Sequence, residues 1–274
     1  MQLNYKSFPT TQLILIHGLL GSADNWRSLA TLWAKAGIQV YTIDQRNHGL
    51  SPHSDEHNYT LMAEDLHEFI QKHDIKNPIL LGHSMGAKTV MQYVKLYPAE
   101  VSKIILADMA PRAYGHKDKH LATFNALLSV GLKNIKTKSE INIPLRIALE
   151  KEEEELLKKH PNFHLYIANL TPFLMKGLYK LPDTEEFAWR FNIPALKNHI
   201  DDILSPISFD HPIDKPTLLL KGEKSDYVTI EDEKDMRNIF PQLEIITLEN
   251  TEHWLQADDP EAFYQKVLYF CQKE

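Results

Sequence analysis

The stretch that most constrains the fold is residues 78–93, in which a serine stands between a short apolar run and a helical pattern. Residues 79–81 are Ile-Leu-Leu, which is typical of a buried strand, and residues 82–86 read Gly-His-Ser-Met-Gly. Apolar residues then recur at helical spacing, at Ala87, Val90, Met91 and Val94. A Gly-x-Ser-x-Gly motif between a strand and a helix is typical of a nucleophile elbow. We therefore predict that Ser84 projects from a strained turn, beside the positive end of a helix dipole.

Composition limits the class of protein to which the chain can belong. Its 274 residues, 43% of them hydrophobic, are enough for one large α/β domain with an insertion. The net charge of −7 and the lack of a basic tract lead us to expect no nucleic-acid partner. The single cysteine, Cys271, excludes an intrachain disulfide, and residues 1–11 lack a signal-peptide pattern, so we expect a cytoplasmic protein. No apolar run reaches the roughly 18 residues of a membrane span, so we expect no membrane partner.

Strand and helix patterns alternate at both ends of the chain. The predicted strands are residues 12–16, 38–43, 79–81, 101–107, 216–221 and 244–248, each followed by a loop and a helical pattern. This alternation predicts an α/β fold with a mostly parallel, doubly wound sheet. Residues 112–211 between the two parts show a mostly helical pattern and no convincing strand. We predict that residues 112–211 form an inserted helical lid, and that residues 1–111 and 212–274 form the core.

Chemically notable residues follow the predicted strands, and in such sheets the ligand site lies at the carboxyl ends of the strands. These residues are Gly18, Asp44, Ser84, Asp108, Gly222 and His253. A serine nucleophile needs a base within hydrogen-bond reach, and that base needs a group that fixes its tautomer. His253 follows the last predicted strand and suits the role of the base, although a lone loop histidine is more often a surface residue.

Two carboxylates compete for the role of the acid. Asp226 follows the strand that ends at Gly222, which is the commonest place for this acid. However, a Gly-x-x-Asp spacing would put Ser225, and not Asp226, in the acid position. Asp108 ends the strand that follows the elbow, where the backbone geometry is rigid. We favour Asp108, while Asp226 stays open.

The remaining site predictions concern the oxyanion and the substrate. A tetrahedral intermediate needs two N–H donors, for which we predict the backbone amides of Met85 and Leu19. The predicted substrate-binding residues are Trp26, His83, Trp189, Tyr227 and Trp254. For the tryptophans, packing in the core is the alternative to lining an apolar acyl pocket. We also predict that Asp44 and Arg46 pair and fix their loop.

Fourteen histidines are many, but the sequence contains no His-Glu-x-x-His motif and no Cys/His cluster with zinc spacing. We therefore expect no metal and no cofactor. The expected partner is a small-molecule acyl ester or thioester substrate. The expected oligomeric state is a monomer or a homodimer.

Five segments together resemble the YbfF-type esterases of bacteria and their mitochondrial relatives. They are His-Gly-Leu-Leu-Gly-Ser at 17–22, Asp-Asn-Trp at 24–26, Asp-x-Arg-Asn-His-Gly at 44–49, the motif at 82–86, and Trp-Arg-Phe-Asn at 189–192. The resemblance covers nearly the whole chain. It implies an α/β-hydrolase fold with a helical lid and hydrolysis of short acyl esters or, in some members, acyl-CoA thioesters.

The same resemblance implies that Ser84 is the nucleophile, His253 the base and Asp108 the acid. The chain departs from the family at Ala87, where a glycine is common, and at Asp226, where relatives often have another residue. We expect a serine carboxylesterase or thioesterase that works through an acyl-enzyme. A C–C bond hydrolase or lyase on the same fold and a ligand-binding protein with negligible turnover are the alternatives.

Overall fold

The computed structural model describes residues 11–162, 164–165, 167–182, 184 and 186–273. Its strands are β1 (Gln12–Ile16), β2 (Gln39–Ile43), β3 (Ile79–His83), β4 (Lys103–Ala107), β5 (Leu178–Lys180), β6 (Phe187–Trp189), β7 (Thr217–Gly222) and β8 (Leu243–Leu248). Its helices are α1 (Arg27–Lys35), α2 (Tyr59–Lys72), α3 (Met85–Leu96), α4 (Lys117–Ser129), α5 (Ser139–Lys159), α6 (Ile167–Lys176), α7 (Ile193–Asn198), α8 (Ile200–Leu204), α9 (Ile230–Ile239), α10 (Leu255–Asp258) and α11 (Pro260–Gln272).

The main sheet has the strand order β2-β1-β3-β4-β7-β8, and all of its neighbouring strands are parallel. The prediction of a mostly parallel, doubly wound sheet is therefore confirmed. In the register of the sheet, Ile16 lies opposite Gly82 and His83 lies opposite Ala107. The carboxyl ends of β1, β3 and β4 thus meet at one edge, which is where such sheets hold their ligands.

Side chains alternate between the two faces of the sheet, because successive residues of a strand point in opposite directions. One face packs on α1 and α11, and there Leu15 shares a hydrophobic cluster with Trp33. The other face packs on α2 and α3, and there Ile16 shares a cluster with Leu66 and Val90. Each fully buried side chain of this size contributes about 1.5–3 kcal/mol through the hydrophobic effect. The carboxyl ends of β1, β3 and β4 therefore belong to a sheet that is packed on both faces.

Residues 112–211 contribute helices α4 to α8 but, among the described residues, no strand of the main sheet. The expectation of no strand in this segment is wrong, because β5 and β6 pair there as a small antiparallel ribbon. Each of these strands has three residues, which is too short for an alternating pattern to show in the sequence. The domain boundaries stay a prediction, and residues 1–10 and 274 of the predicted core lie outside the described residues.

The longest described helix is α5, with 21 residues. Its second half carries the charged run Glu-Lys-Glu-Glu-Glu-Glu, so the helix has no continuous apolar stretch. Throughout the described ranges, no helix combines the length and the apolar character that crossing a membrane requires.

Candidate active site

Ser84 occupies the turn between β3 and α3. Its backbone has φ 54° and ψ −120°, a conformation that costs a residue other than glycine on the order of 1–3 kcal/mol. The neighbouring strand β4 holds the turn, because the Ser84 N–H donates to the Ala107 carbonyl at 3.1 Å. The strained turn predicted from the motif is therefore present, and it sets the serine at the carboxyl end of β3.

Glycines on both sides of the serine let the strand and the helix approach closely. A Cβ at Gly82 would lie 2.2 Å from the Gly86 carbonyl oxygen, and a Cβ at Gly86 would lie 2.4 Å from the Ile16 carbonyl oxygen. Neither position can carry a side chain without moving the backbone. Ala87 is fully buried within α3, so its methyl group is accommodated where the family commonly has glycine.

Ser84, His253 and Asp108 form one continuous line of hydrogen bonds. The Ser84 Oγ–H donates to His253 Nε2 at 2.9 Å. On the other side of the ring, the His253 Nδ1–H donates to Asp108 Oδ2 at 2.8 Å. This is the geometry in which a histidine can take the serine proton while a carboxylate fixes its tautomer and stabilises the imidazolium that forms.

The Asp108 carboxylate is completely buried, and several donors hold it in place. Its Oδ1 accepts the Gly222 N–H at 3.2 Å, and its Oδ2 accepts the Ser225 hydroxyl as well as the histidine. Its own N–H donates to the Leu220 carbonyl at 2.8 Å. A buried carboxylate is tolerated only when donors surround it in this way. Leu220, Gly222 and Ser225 all lie on β7 or in the loop after it, so this part of the chain fixes the position of the Asp108 carboxylate.

Of the two carboxylates that compete in the sequence, the structure places Asp108 against His253. The Asp226 side chain is exposed, and the hydroxyl of the preceding residue, Ser225, reaches the triad instead. Ser225 therefore stands where a Gly-x-x-Asp loop would carry its acid, and it supports an acid that comes from the neighbouring strand.

Two aromatic rings fix His253. The Tyr227 ring stacks on the imidazole with 3.5 Å between centroids and 12° between planes. The His83 Nε2–H donates to the His253 carbonyl at 2.8 Å, and His83 is only 4% exposed. Burial lowers the pKa of His83 to about 3, so the ring stays neutral and keeps this bond. The low exposure of the His83 ring favours this structural role, and substrate contacts of His83 and Tyr227 stay predictions.

The loop after β1, which carries Leu19, is held by a buried histidine. The Leu20 N–H donates to His48 Nε2 at 3.1 Å, and the His48 Nδ1–H donates to the Arg46 carbonyl at 3.0 Å. Burial lowers the pKa of His48 well below its usual value, which keeps Nε2 free to accept. The loop geometry is thus fixed beside the elbow. The use of the Leu19 and Met85 amides as oxyanion donors stays a prediction.

The prediction that Asp44 and Arg46 pair with each other is wrong. Arg46 forms a two-pronged pair with Asp65 of α2, with N–O distances of 2.6 and 2.8 Å. Asp44 instead accepts the Ala23 N–H at 2.7 Å and the Leu50 N–H at 2.9 Å. Both residues fix the loop that carries His48, but they do so through different partners.

The three tryptophans have different surroundings. Trp26 is 1% exposed and packs against Phe263 of α11, which favours packing in the core over lining an acyl pocket; its substrate contact stays a prediction. Trp254 directly follows His253 and stacks on Phe173 of α6, with 5.1 Å between centroids. Trp189 lies partly buried in β6, and its indole N–H has no acceptor among the described residues. Substrate contacts of Trp189 and Trp254 stay predictions.

Three supporting residues escaped prediction from the sequence. Ser225 had a signal, since it occupies the acid position of a Gly-x-x-Asp loop. Lys88 had a weaker signal, because it is the single charged residue in the stretch 85–94. Tyr114 had none, since its hydroxyl bonds to the Tyr227 carbonyl 113 residues away.

The arrangement of these side chains supports nucleophilic catalysis by a serine. No three His, Cys, Asp or Glu side chains within the described part of the chain are placed to hold a metal ion. The single cysteine, Cys271, is buried, and burial raises the pKa of its thiol to about 12, so it does not compete as a nucleophile.

Comparison with known proteins identifies the family. A family model described as the alpha/beta hydrolase fold matches residues 11–260. The chain belongs to the α/β-hydrolase family. The solved structure of a marine microorganism esterase superposes with a TM-score of 0.83, at 38% sequence identity and 97% coverage of both chains.

Relatives match along nearly the whole of this α/β-hydrolase. The esterase YbfF of Escherichia coli is 30% identical over 93% of this chain and 91% of that protein. The sn-1-specific diacylglycerol lipase ABHD11 of Danio rerio is 32% identical over 96% of this chain and 79% of that protein. The resemblance to YbfF-type esterases is thereby confirmed. These findings support a hydrolase of the esterase and lipase type.

Proposed function

We propose that the protein is a serine carboxylesterase that cleaves esters of short to medium acyl chains through an acyl-enzyme. The observation that carries this proposal is the unbroken hydrogen-bond line from the Ser84 hydroxyl through His253 to the buried Asp108 carboxylate. The strained elbow adds to it, since such a turn costs stability and presents the hydroxyl to the edge of the sheet.

In the proposed mechanism, Ser84 Oγ attacks the ester carbonyl while His253 Nε2 takes the hydroxyl proton. The oxyanion of the tetrahedral intermediate is held by the backbone amides of Met85 and Leu19, each of which supplies about 10²–10³ in rate. His253 then returns the proton to the leaving alcohol. Water attacks the acyl-enzyme by the same route and releases the acid. Asp108 stays ionised throughout and stabilises the imidazolium.

The same steps cleave a thioester, because the leaving thiol takes the place of the alcohol. The relatives described above are an esterase and a lipase, which favours oxygen esters as the main substrates. We therefore place oxygen esters first and acyl thioesters second.

The test is a substrate series that covers both classes. Wild-type protein is assayed on p-nitrophenyl acetate, butyrate, octanoate and palmitate, and on acetyl-CoA and palmitoyl-CoA. We expect turnover of the short esters, with the rate falling toward palmitate. Ser84→Ala should lower kcat by about 10⁴ or more, because the remaining groups cannot form an acyl-enzyme. Ser139→Ala, at an exposed serine of α5, is the matched control and should keep wild-type activity.

Two results would contradict the proposal. One is wild-type protein that turns over none of the six substrates. The other is Ser84→Ala protein that folds and keeps ester turnover, which would mean that another group is the nucleophile.

A further inference from the structure

Lys88 lies one turn after the nucleophile in α3, and its side chain is completely buried. An ammonium group is costly to bury unless hydrogen-bond acceptors or negative charges compensate it. No carboxylate in the described ranges forms an ion pair with Lys88. Its surroundings are instead backbone carbonyls and aromatic rings.

The Lys88 ammonium reaches both ends of the predicted lid segment. Its Nζ donates to the Arg112 carbonyl at 2.8 Å and to the Ser205 carbonyl at 2.5 Å. Arg112 lies where the chain leaves the sheet after β4, and Ser205 lies just beyond α8, shortly before the chain returns to it. One side chain on the elbow helix thus bridges two chain segments that are 93 residues apart in sequence.

The two segments also bond directly to each other. The Tyr114 N–H donates to the Leu204 carbonyl at 3.0 Å, and the Ile207 N–H donates to the Pro111 carbonyl at 2.7 Å. These two bonds flank the pair of carbonyls that Lys88 bridges. The base of the lid segment is therefore closed by backbone bonds on either side of one buried ammonium.

A second set of contacts leads from Lys88 toward the triad. Its Nζ lies 4.9 Å from the centroid of the Tyr114 ring, within the range of a cation–π interaction. The Tyr114 hydroxyl accepts the Ala110 N–H at 2.9 Å and donates to the Tyr227 carbonyl at 2.7 Å. The Tyr227 ring is the one that stacks on His253. A continuous path of contacts thus joins the ammonium to the imidazole.

We propose that Lys88 is a positioning residue that fastens both ends of the lid segment to the elbow helix and holds Tyr114, and through it Tyr227, against His253. The part that concerns His253 rests on the proposed function. The part that concerns the base of the lid does not depend on any activity.

Amide hydrogen exchange of the Lys88→Met variant tests the base of the lid. Methionine keeps the length of the side chain and removes the ammonium. We expect exchange of the Tyr114 and Ile207 amides to be faster by about tenfold or more, with the amides of β3 and β4 unchanged, because only the local opening becomes easier. Lys95→Met, at a partly exposed lysine of the same helix, is the matched control and should change neither amide. Unchanged exchange at Tyr114 and Ile207 in Lys88→Met would overturn the proposal.

Kinetics of the same variants test the path to His253. On p-nitrophenyl butyrate, Lys88→Met should lower kcat by about tenfold with KM within about twofold, because the imidazole is less well placed while the pocket is kept. The link to His253 would be overturned if Lys88→Met shows faster amide exchange at Tyr114 and Ile207 but keeps the wild-type kcat. If wild-type protein shows no ester turnover, the proposed function fails. The amide hydrogen exchange of Tyr114 and Ile207 still decides whether Lys88 fastens the two ends of the lid segment.

A measurement on wild-type protein decides the case if Lys88→Met does not fold. Burial lowers the pKa of the Lys88 amine to about 7, so NMR of lysine Nζ groups at pH 6 observes the ammonium form. We expect the Lys88 ammonium protons to exchange slowly with water and to show cross-relaxation with the Tyr114 ring. Exchange as fast as that of Lys95 would overturn the proposal.

Discussion

Replacing Asp108 by asparagine should lower kcat/KM for p-nitrophenyl butyrate by about 10⁴, which corresponds to about 5.4 kcal/mol of transition-state stabilisation. The structure indicates which way the new amide would face. The Gly222 N–H donates to Oδ1 and cannot become an acceptor, so the amide oxygen of the asparagine must stay at that position. The Ser225 hydroxyl and the His253 ring, which donate to Oδ2, can both act as acceptors instead. The amide NH₂ then takes the place of Oδ2, where it faces the His253 Nδ1.

Because the NH₂ group is a donor, His253 Nδ1 must become the acceptor, and the ring proton moves to Nε2. A protonated Nε2 can no longer accept the proton of Ser84, so the serine loses its base. The loss therefore comes from the wrong tautomer, with the side-chain volume and the backbone of Asp108 almost unchanged. The reverse orientation of the amide would place its NH₂ against the Gly222 N–H, leaving a buried donor unpaired.

The assay compares Asp108→Asn with Asp226→Asn, a matched change at an exposed carboxylate of the neighbouring loop. We expect Asp226→Asn to stay within about twofold of wild type, since surface substitutions of this kind change little. Circular dichroism and thermal melts verify that both variants fold. The reasoning is refuted if folded Asp108→Asn keeps more than about a tenth of wild-type activity, or if Asp226→Asn shows the larger loss.

Three further outcomes are expected. Gly82→Ala should lower the free energy of unfolding in urea by about 1–3 kcal/mol or more, because its Cβ would meet the Gly86 carbonyl oxygen; an unchanged midpoint contradicts the close approach. Ser225→Ala should lower kcat by about 10- to 100-fold through loss of a charge-assisted bond to Asp108, and steady-state rates equal to wild type would contradict this role. Burial lowers the pKa of His57 to about 4, so between pH 6.5 and 4 the unfolded chain binds a proton that the folded chain does not, and stability falls as pH falls. His57→Gln should remove about 1.4 kcal/mol per pH unit from this slope in urea titrations, and an unchanged slope would mean that His57 is protonated in the fold.

The parts of the site that follow from local sequence could be predicted. Ser84 lies in a motif with a strand before it and a helix after it. Asp108 directly follows a predicted strand, and His253 lies in the loop after the last one. In a parallel sheet, those strand ends meet at one edge whatever the details of packing. The parallel pairing follows from the same alternation, whereas the order of the strands in the sheet does not.

The residues that could not be predicted depend on contacts between distant parts of the chain. The sequence does not reveal that Trp26 points to the face of the sheet covered by α11, nor that Arg46 reaches Asp65 of α2. The environment of Lys88 is made by two carbonyls that lie 24 and 117 residues away. Such positions are fixed by tertiary packing, which local patterns do not encode.

The most direct test of the account is labelling with a fluorophosphonate, followed by peptide mass spectrometry of the adduct. A serine activated by a neighbouring histidine reacts with this probe, whereas ordinary serines do not. We predict one adduct per chain, on Ser84, and none in Ser84→Ala protein. An absent adduct, or an adduct on another serine such as Ser225 while ester turnover is intact, would contradict the assignment of Ser84 as the nucleophile.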